Sequence, residues 1–254
     1  MDKPLILISN DDGIEAAGIH SLVDYVKEYG DVWVVAPDRP HSGQSSAMTV
    51  NQPLHISQKP DYNGAHMFSV SGTPVDCVKL AYHTILPRIP DLMLSGINHG
   101  SNAGNSIIYS GTMGAVMEAT TIGIPAVGYS LLSHSPNADF SETERFIRHI
   151  TSRVLRHGLP AGICLNVNFP ADVKIEGMKV VRAATSHWTE EFQEYTDPHG
   201  HKFYWLKGRI INEEPEAEDT DLTWLDRGYA TIVPARVNQN ALDCLQSTAD
   251  LLDL

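Results

Sequence analysis

At 254 residues, 42% of them hydrophobic, the chain is long enough for one large α/β domain, or a domain with an appendage, around a sizeable core. Its 31 acidic side chains against 18 Lys and Arg give a formal net charge of −13. That balance argues against a nucleic-acid polymer as partner, but not against a small phosphate ester, because a bound cation reverses the local field.

No apolar run is long enough to cross a membrane, so no membrane partner is expected. The three cysteines, Cys77, Cys164 and Cys244, lack metal-ligand spacing and read as reduced thiols of a cytoplasmic protein. Met1-Asp2-Lys3-Pro4 runs straight into the first strand without the pattern of a signal peptide.

Leu5-Ile6-Leu7-Ile8 is a continuous apolar run, as in a strand buried on both faces. It ends in Ser9-Asn10-Asp11-Asp12-Gly13. Neighbouring strand side chains point to opposite faces, so Asp11 and Asp12 reach one ligand only if the backbone turns, and Gly13 permits that turn. Two carboxylates forced together repel unless a proton or cation lies between them. A hard divalent cation with oxygen ligands is the leading reading. An Asx-type turn with a helix cap describes the same residues.

Ile19, Leu22, Val23 and Val26 predict a helix over 14–29, stopped by Gly30. A second buried strand, 32–36, opens into the polar, turn-rich stretch 37–46, which contains Ser42 and would lie on the same rim as Asp11 and Asp12. Residues 54–56 and 67–70 read as short strands of an edge hairpin. Thr73 as N-cap, Pro74 and Asp76 start a helix reaching about residue 86.

A third core strand, 91–95, ends in the loop 96–105, which holds three Gly and three Asn, Asn98 among them. Tyr109-Ser110-Gly111-Thr112 opens a helix with Met113, Val116 and Met117 on its buried side. A fourth strand covers 125–129, a capping box at 141–144 starts a helix to about 157, and a fifth strand covers 163–169. This alternation predicts a doubly wound, mostly parallel sheet.

Beyond about residue 175 the pattern changes. Residues 180–183 and 203–206 are strand-like, separated by a polar segment carrying Trp188, Tyr195, Pro198 and Gly200. An extended hairpin arm, its aromatic residues packed on another subunit, fits better than a further βα unit. Glu213 to Asp221, with six acids in nine residues, reads as a solvated loop. A strand at 229–233 returns to the core and an amphipathic helix at 241–252 ends the chain. The expected division is a catalytic core over 1–175, and an arm, returning strand and terminal helix over 176–254 used in oligomerisation.

Three polar turns converge by this topology: Asp11-Asp12, the Ser42 loop, and the Asn98 loop with Ser110-Gly111-Thr112. They offer carboxylate, hydroxyl and amide oxygens and no strong base, which is a hard-cation shell. The helix start after Ser110 offers backbone N–H groups to an anion. A cation site beside an anion nest points to phosphate chemistry.

The segments "ILISNDDGIEAAGI", "VVAPDRPHSG", "VSGTPVDCVKLA", "DLMLSGINHGSNAGNSIIYSGTMGAVMEA" and "LNVNFP", in that order, resemble the SurE family of stationary-phase survival proteins. The later "DPHGHKFYW" and "DRGYATIVP" extend the similarity over nearly the whole chain. The resemblance implies a Rossmann-like α/β core with a swapped arm or C-terminal segment, a homodimer or homotetramer, and a metal-dependent 5′(3′)-nucleotidase acting on nucleoside monophosphates with Mg²⁺ or Mn²⁺. It implies Asp11, Asp12, Ser42 and Asn98 as the ligands of one divalent metal ion per subunit.

The reaction then reads as metal-assisted hydrolysis. Asp11 or Asp12 takes the proton, and Asn98, Ser110, Gly111 and Thr112 hold the phosphate oxygens. His99, beside Asn98, carries no assigned role. Two rival enzyme readings fit less well. An aspartyl-phosphate phosphatase usually places a second Asp two residues after the first, where this chain has Gly13, and no G-x-G-x-x-G follows the first strand as a dehydrogenase would need. A binding regulator without turnover would not need both a ligand set and a phosphate nest.

Overall fold

The structure, a computed structural model, describes residues 3–254. The first half runs β1 (Leu5–Ser9), α1 (Ala17–Val26), β2 (Asp31–Pro37), β3 (Ile56–Tyr62), β4 (Ala65–Val70), α2 (Pro74–Leu80), β5 (Leu92–His99), α3 (Gly111–Thr121) and β6 (Ala126–Leu131). The second half runs α4 (Glu144–His157), β7 (Ile163–Phe169), β8 (Met178–Val180), β9 (Ser186–Thr189), β10 (Phe192–Thr196), β11 (Lys202–Leu206), β12 (Arg209–Asn212), α5 (Asp221–Asp226), β13 (Ala230–Arg236) and α6 (Leu245–Leu251).

Strand β1 lies inside a nine-stranded sheet of order β3-β4-β2-β1-β5-β6-β7-β13-β8. From β4 to β7 all pairings are parallel; β3 on β4 and β13 on β7 are antiparallel. Helices α1 and α4 pack on one face, where Ile6 and Ile8 of β1 point, and α2 and α3 pack on the other, where Leu7 points. Burial on both faces is why β1 shows an unbroken apolar run instead of alternation. Each such side chain contributes roughly 1.5–3 kcal/mol on leaving water. The doubly wound, mostly parallel sheet expected from the sequence is present.

Several boundaries differ from the local expectation, each for a visible reason. Helix α1 begins only at Ala17, because Ala16 N–H bonds to Gly13 O and Ile14 N–H to Pro37 O, which spends residues 13–16 on a turn. Gly30 is not a left-handed cap: a Cβ there would lie 2.4 Å from Pro4 O, so it permits a close approach. The edge hairpin starts later than expected, at Ile56.

The capping box at Thr73 and Asp76 forms as predicted. The one at 141–144 does not. Ser141–Thr143 is a 3-10 turn in which Thr143 Oγ1 donates to Phe140 O at 2.7 Å, and α4 starts at Glu144. The predicted terminal helix is reduced to a 3-10 turn, Leu242–Cys244, and α6, with Leu242, Leu245, Leu251 and Leu252 exposed.

Strand β5 does not stop at Ser95 but runs on to His99. Gly96 misled the reading because it looks like loop. In the sheet it lets β5 pass close to β6, where a Cβ would lie 2.3 Å from Tyr129 O, and the register with β6 shifts between Ser95 and Asn98. Asn98 is therefore a strand residue held by the sheet.

Two ribbons, β9–β12 and β10–β11, stand outside the main sheet. Strands β8 and β13 from the C-terminal part of the chain join that sheet beyond β7. Among the described residues no helix is long and apolar enough to cross a membrane.

Candidate active site

The chain leaves β1 for β2 on one side and returns, through α2, to β5 on the other side of β1. The carboxyl ends of β1 and β5 thus border the crevice where strand order reverses, the place where open α/β sheets bind ligands. Asp11 and Asp12 follow β1, and Asn98 sits near the end of β5.

The turn after β1 is built from Gly13, at φ +99°, whose carbonyl accepts from Asn10 Nδ2 at 2.9 Å. It sends the two carboxylates to different supports. Asp11 is 4% exposed, and its Oδ1 accepts the Thr112 hydroxyl at 2.5 Å. The start of α3 closes on it. A Cβ at Gly111 would lie 2.8 Å from Asp11 Cβ and 2.9 Å from Oδ2, so only glycine admits the carboxylate. Asp12 Oδ2 accepts His99 N–H at 3.0 Å. Asn98, 8% exposed, donates from Nδ2 to Gly100 O at 2.8 Å, which leaves Oδ1 as its acceptor.

The Ser42 loop reaches the same place. His41 N–H donates to Asp11 O at 2.7 Å, which sets Ser42, itself exposed, one residue from the carboxylate turn. Further along, Ser45 N–H bonds to Tyr109 O at 3.1 Å and Ser45 Oγ donates to Ile108 O at 2.7 Å. The loop therefore braces the turn that leads into α3. Asp11, Asp12, Ser42, Asn98 and Ser110-Gly111-Thr112, drawn from distant parts of the chain, are brought to one rim.

Two hydroxyls at the start of α3 are already engaged. Ser110 Oγ caps the helix by accepting Met113 N–H at 3.0 Å, which leaves its own proton to donate. Thr112, fully buried, gives its hydroxyl proton to Asp11. The Thr112 hydroxyl is thus spent on Asp11.

Burial pushes the Asp11 carboxyl up to about 6, with the charge of Asp12 adding to the rise and the Thr112 hydrogen bonds opposing it. Burial also raises Asp12, against the His99 N–H and the imidazoles of His99 and His134. Among the described residues neither carboxylate pairs with a Lys or Arg. A buried and a half-buried acid without a Lys or Arg partner, next to hydroxyl and amide oxygens, suit a hard divalent cation. No three His, Cys, Asp or Glu side chains gather among the described residues, so two carboxylates supply all the anionic charge of such a site.

Sequence reasoning passed over His134, an asparagine network and Asp221. The ring of His134, in the loop after β6, covers Gly100, where a Cβ would lie 2.3 Å from Cε1. Asn102 N–H bonds to Asn168 Oδ1 at 2.9 Å, its Nδ2 to Ser130 Oγ at 2.7 Å, and its carbonyl takes Asn166 Nδ2 at 2.8 Å. Asn166 and Asn168, two apart in an apolar strand, share a face, and that spacing was the available signal. Asp221, taken as part of a solvated acidic run, is fully buried.

The family model for the survival protein SurE matches residues 6–190. The chain belongs to the SurE family. A relative named 5′-nucleotidase SurE from Christiangramia forsetii is 51% identical over 244 residues, covering 94% of this chain and 93% of the relative. One of the same name from Phocaeicola vulgatus is 45% identical over 240 residues, again covering 94% and 93%. The crystal structure of the SurE protein from Aquifex aeolicus superposes with a TM-score of 0.84 at 36% identity, covering 98% of this chain and all of that one. The SurE resemblance read from the sequence motifs is correct.

Proposed function

We propose that this SurE-family chain is a divalent-metal-dependent phosphomonoesterase, a 5′-nucleotidase that hydrolyses nucleoside 5′-monophosphates to nucleoside and phosphate. The observation that carries this reading is the Asp11–Asp12 pair at the sheet's switch point, Asp11 buried and Asp12 half-buried, without a Lys or Arg partner among the described residues and closed by the N-terminus of α3. The names of the relatives from C. forsetii and P. vulgatus agree with it.

Asp11, Asp12, Ser42 and Asn98 would hold one Mg²⁺ or Mn²⁺ per subunit. The cation would polarise a phosphoryl oxygen and ease deprotonation of the attacking water. The protein's own groups supply the rest. Thr112 Oγ1 fixes Asp11 by engaging Oδ1, which leaves Oδ2 to face a ligand, and His99 N–H fixes Asp12 in the same way through Oδ2. Either acid fits the role of proton acceptor for the attacking water.

The Gly111 N–H, the Ser110 hydroxyl proton and the Asn98 amide are the donors for phosphate oxygens, at a helix start where negative charge is favoured. Thr112 serves the phosphate indirectly, by keeping Asp11 in place. We place the protein in the cytoplasm, where the unpaired thiols of Cys77 and Cys164 remain reduced, and assign it a homodimer or homotetramer built through the exposed aromatic ribbon.

The deciding experiment is phosphate release from nucleoside 5′- and 3′-monophosphates with added Mg²⁺ or Mn²⁺, and again after chelation. Hydrolysis that needs the cation is expected. Full turnover in demonstrably metal-free protein would refute the mechanism.

A further inference from the structure

The eleven residues between Asn98 at the end of β5 and Ser110 at the start of α3 carry little regular structure beyond a 3-10 turn, Gly104–Tyr109, yet they set where α3 begins. Tethers from outside hold them. Gly100 N–H bonds to Leu131 O at 2.9 Å, Asn102 is locked by the asparagine network, and Ser45 binds the carbonyls of Ile108 and Tyr109. Asn105 bonds twice to Ser186, at 2.9 and 2.8 Å, and Ser106 Oγ accepts Trp188 Nε1–H at 3.2 Å.

Apart from Asp12, which accepts His99 N–H where the segment begins, one charged side chain holds it directly. Asp221 lies 117 residues from Gly104 in sequence, and its Oδ2 accepts Gly104 N–H at 2.8 Å. Its Oδ1 accepts Ala184 N–H at 2.9 Å and Leu222 N–H at 2.8 Å. The carboxylate is 0% exposed and, among the described residues, pairs with no Lys or Arg. Ionised, it offers only acceptors, which matches three converging N–H donors; a neutral amide in its place would turn an N–H toward one of them. Gly104 is fitted to the contact as well, because at φ +55° a Cβ would lie 2.4 Å from Ser186 Oγ.

We infer that Asp221 is a positioning residue of the hydrolysis. By fixing Gly104 it sets the 3-10 turn, and through it the register of Ser110-Gly111-Thr112 against Asp11 and the phosphate. Asp221 touches neither substrate nor Asp11, so its effect passes through backbone. The inference rests on the phosphate role proposed for the start of α3.

The test uses the full-length protein with Asp221→Asn and Gly104→Ala, which disturb the link from its two ends. Arg182→Ala is the control. It removes surface ion pairs to Glu214 and Asp219 in the same C-terminal segment and does not touch Gly104. Per folded molecule, Asp221→Asn should lower kcat by about 10–100-fold, since small misplacements of a catalytic frame have effects of that order. It should weaken binding of inorganic phosphate by more than it weakens binding of Mn²⁺, both followed by titration calorimetry. Gly104→Ala should shift the same quantities in the same direction, and Arg182→Ala should leave kcat unchanged.

A purely structural role predicts a lower melting temperature with wild-type kcat and phosphate affinity in the folded fraction, or equal losses of phosphate and Mn²⁺ binding. Either result overturns the inference. If Asp221→Asn fails to fold, Gly104→Ala decides by the same criteria. If the wild-type protein releases no phosphate from any nucleotide, the nucleotidase reading fails on its own, and phosphate binding to the variants still decides the role of Asp221.

Discussion

The rim at the ends of β1 and β5 and the ribbon β10–β11 are opposite kinds of structure within one chain. At the rim Asp11, Asn98, Ser110 and Thr112 are all buried and their polar atoms are engaged, Thr112 by Asp11 across the sheet and Asn98 and Ser110 by nearby backbone. In the ribbon every strand residue is exposed, including Phe192, Tyr195, Phe203, Tyr204 and Trp205. It is held by a two-stranded ladder, the stacking of Tyr195 on Phe203 at 5.5 Å between centroids, and exposed polar contacts of Glu194 with Lys202 and Tyr204. A lone hairpin is marginal in water, so the ribbon needs a surface to cover it, whereas the rim needs nothing from outside except its cation and substrate. The proposed chemistry is built within the chain, whereas the proposed assembly would need another copy.

The sharpest way to break that contrast is at the rim. Asp12→Asn keeps the shape and removes one of the two negative charges and a candidate base. We expect turnover to fall on the order of 10³-fold even at saturating metal, with weaker Mn²⁺ binding by calorimetry. Wild-type turnover would remove Asp12 from the mechanism.

Thr112→Ala should come next, with a loss of at most about 10²-fold at neutral pH. Its hydrogen bond lowers the Asp11 pKa, so without it that carboxyl holds its proton to higher pH. At subsaturating Mn²⁺, where the proton competes with the cation for Asp11, the rate profile should shift in the alkaline direction, and an unshifted profile would show that the Thr112–Asp11 bond does not matter.

The pH dependence of cation binding is a smaller effect. With the Asp11 carboxyl at about 6 in the folded protein against 3.8 as its ordinary value, the folded state holds more protons than the unfolded one between these limits. The cation-free protein should therefore lose stability as pH rises from about 4 to about 6, and be flat in this respect above that range. Cation binding near pH 6 should release protons, measurable as a buffer-dependent calorimetric heat, and affinity should be higher at pH 7.5 than at pH 5. Proton-neutral binding would contradict the shared role of the two acids.

The smallest effect on activity is expected in the ribbon. Phe203→Glu with Trp205→Glu places charges on one face of the ribbon, the face we propose another copy covers. Light scattering should show a smaller species, while core stability by denaturant unfolding changes by less than about 1 kcal/mol beyond the contribution of assembly itself. An unchanged molecular mass would show that the ribbon does not assemble the protein.

Much of this was legible in the sequence, and for local reasons. Leu5–Ile8 announced a doubly buried strand through side-chain type alone, Thr73-Pro74-Val75-Asp76 announced a capped helix, and Asp11-Asp12-Gly13 announced a turn bearing two charges. Gly96 and Asp221 misled because each had a plausible local role that a distant contact overrode, and Ser141 because a competing bond between near neighbours replaced the cap. Close packing on Tyr129 O keeps Gly96 in a strand, Phe140 O takes the Thr143 hydroxyl next to Ser141, and the N–H of Gly104 draws Asp221 out of its acidic run into the interior.

The sequence by itself determined the order of strands and helices, the two-faced burial of the central strand and the chemical types gathered at its end, because these depend on side-chain periodicity and backbone preference over a few residues. Only the tertiary structure decided that the Thr112 hydroxyl serves Asp11 across 101 residues, that Asn98 is held in a strand, and that Asp221 fixes Gly104 across 117. Such pairings arise when packed layers bring remote donors and acceptors into a dry interior, where each must find a partner, and no local pattern records which partner it finds.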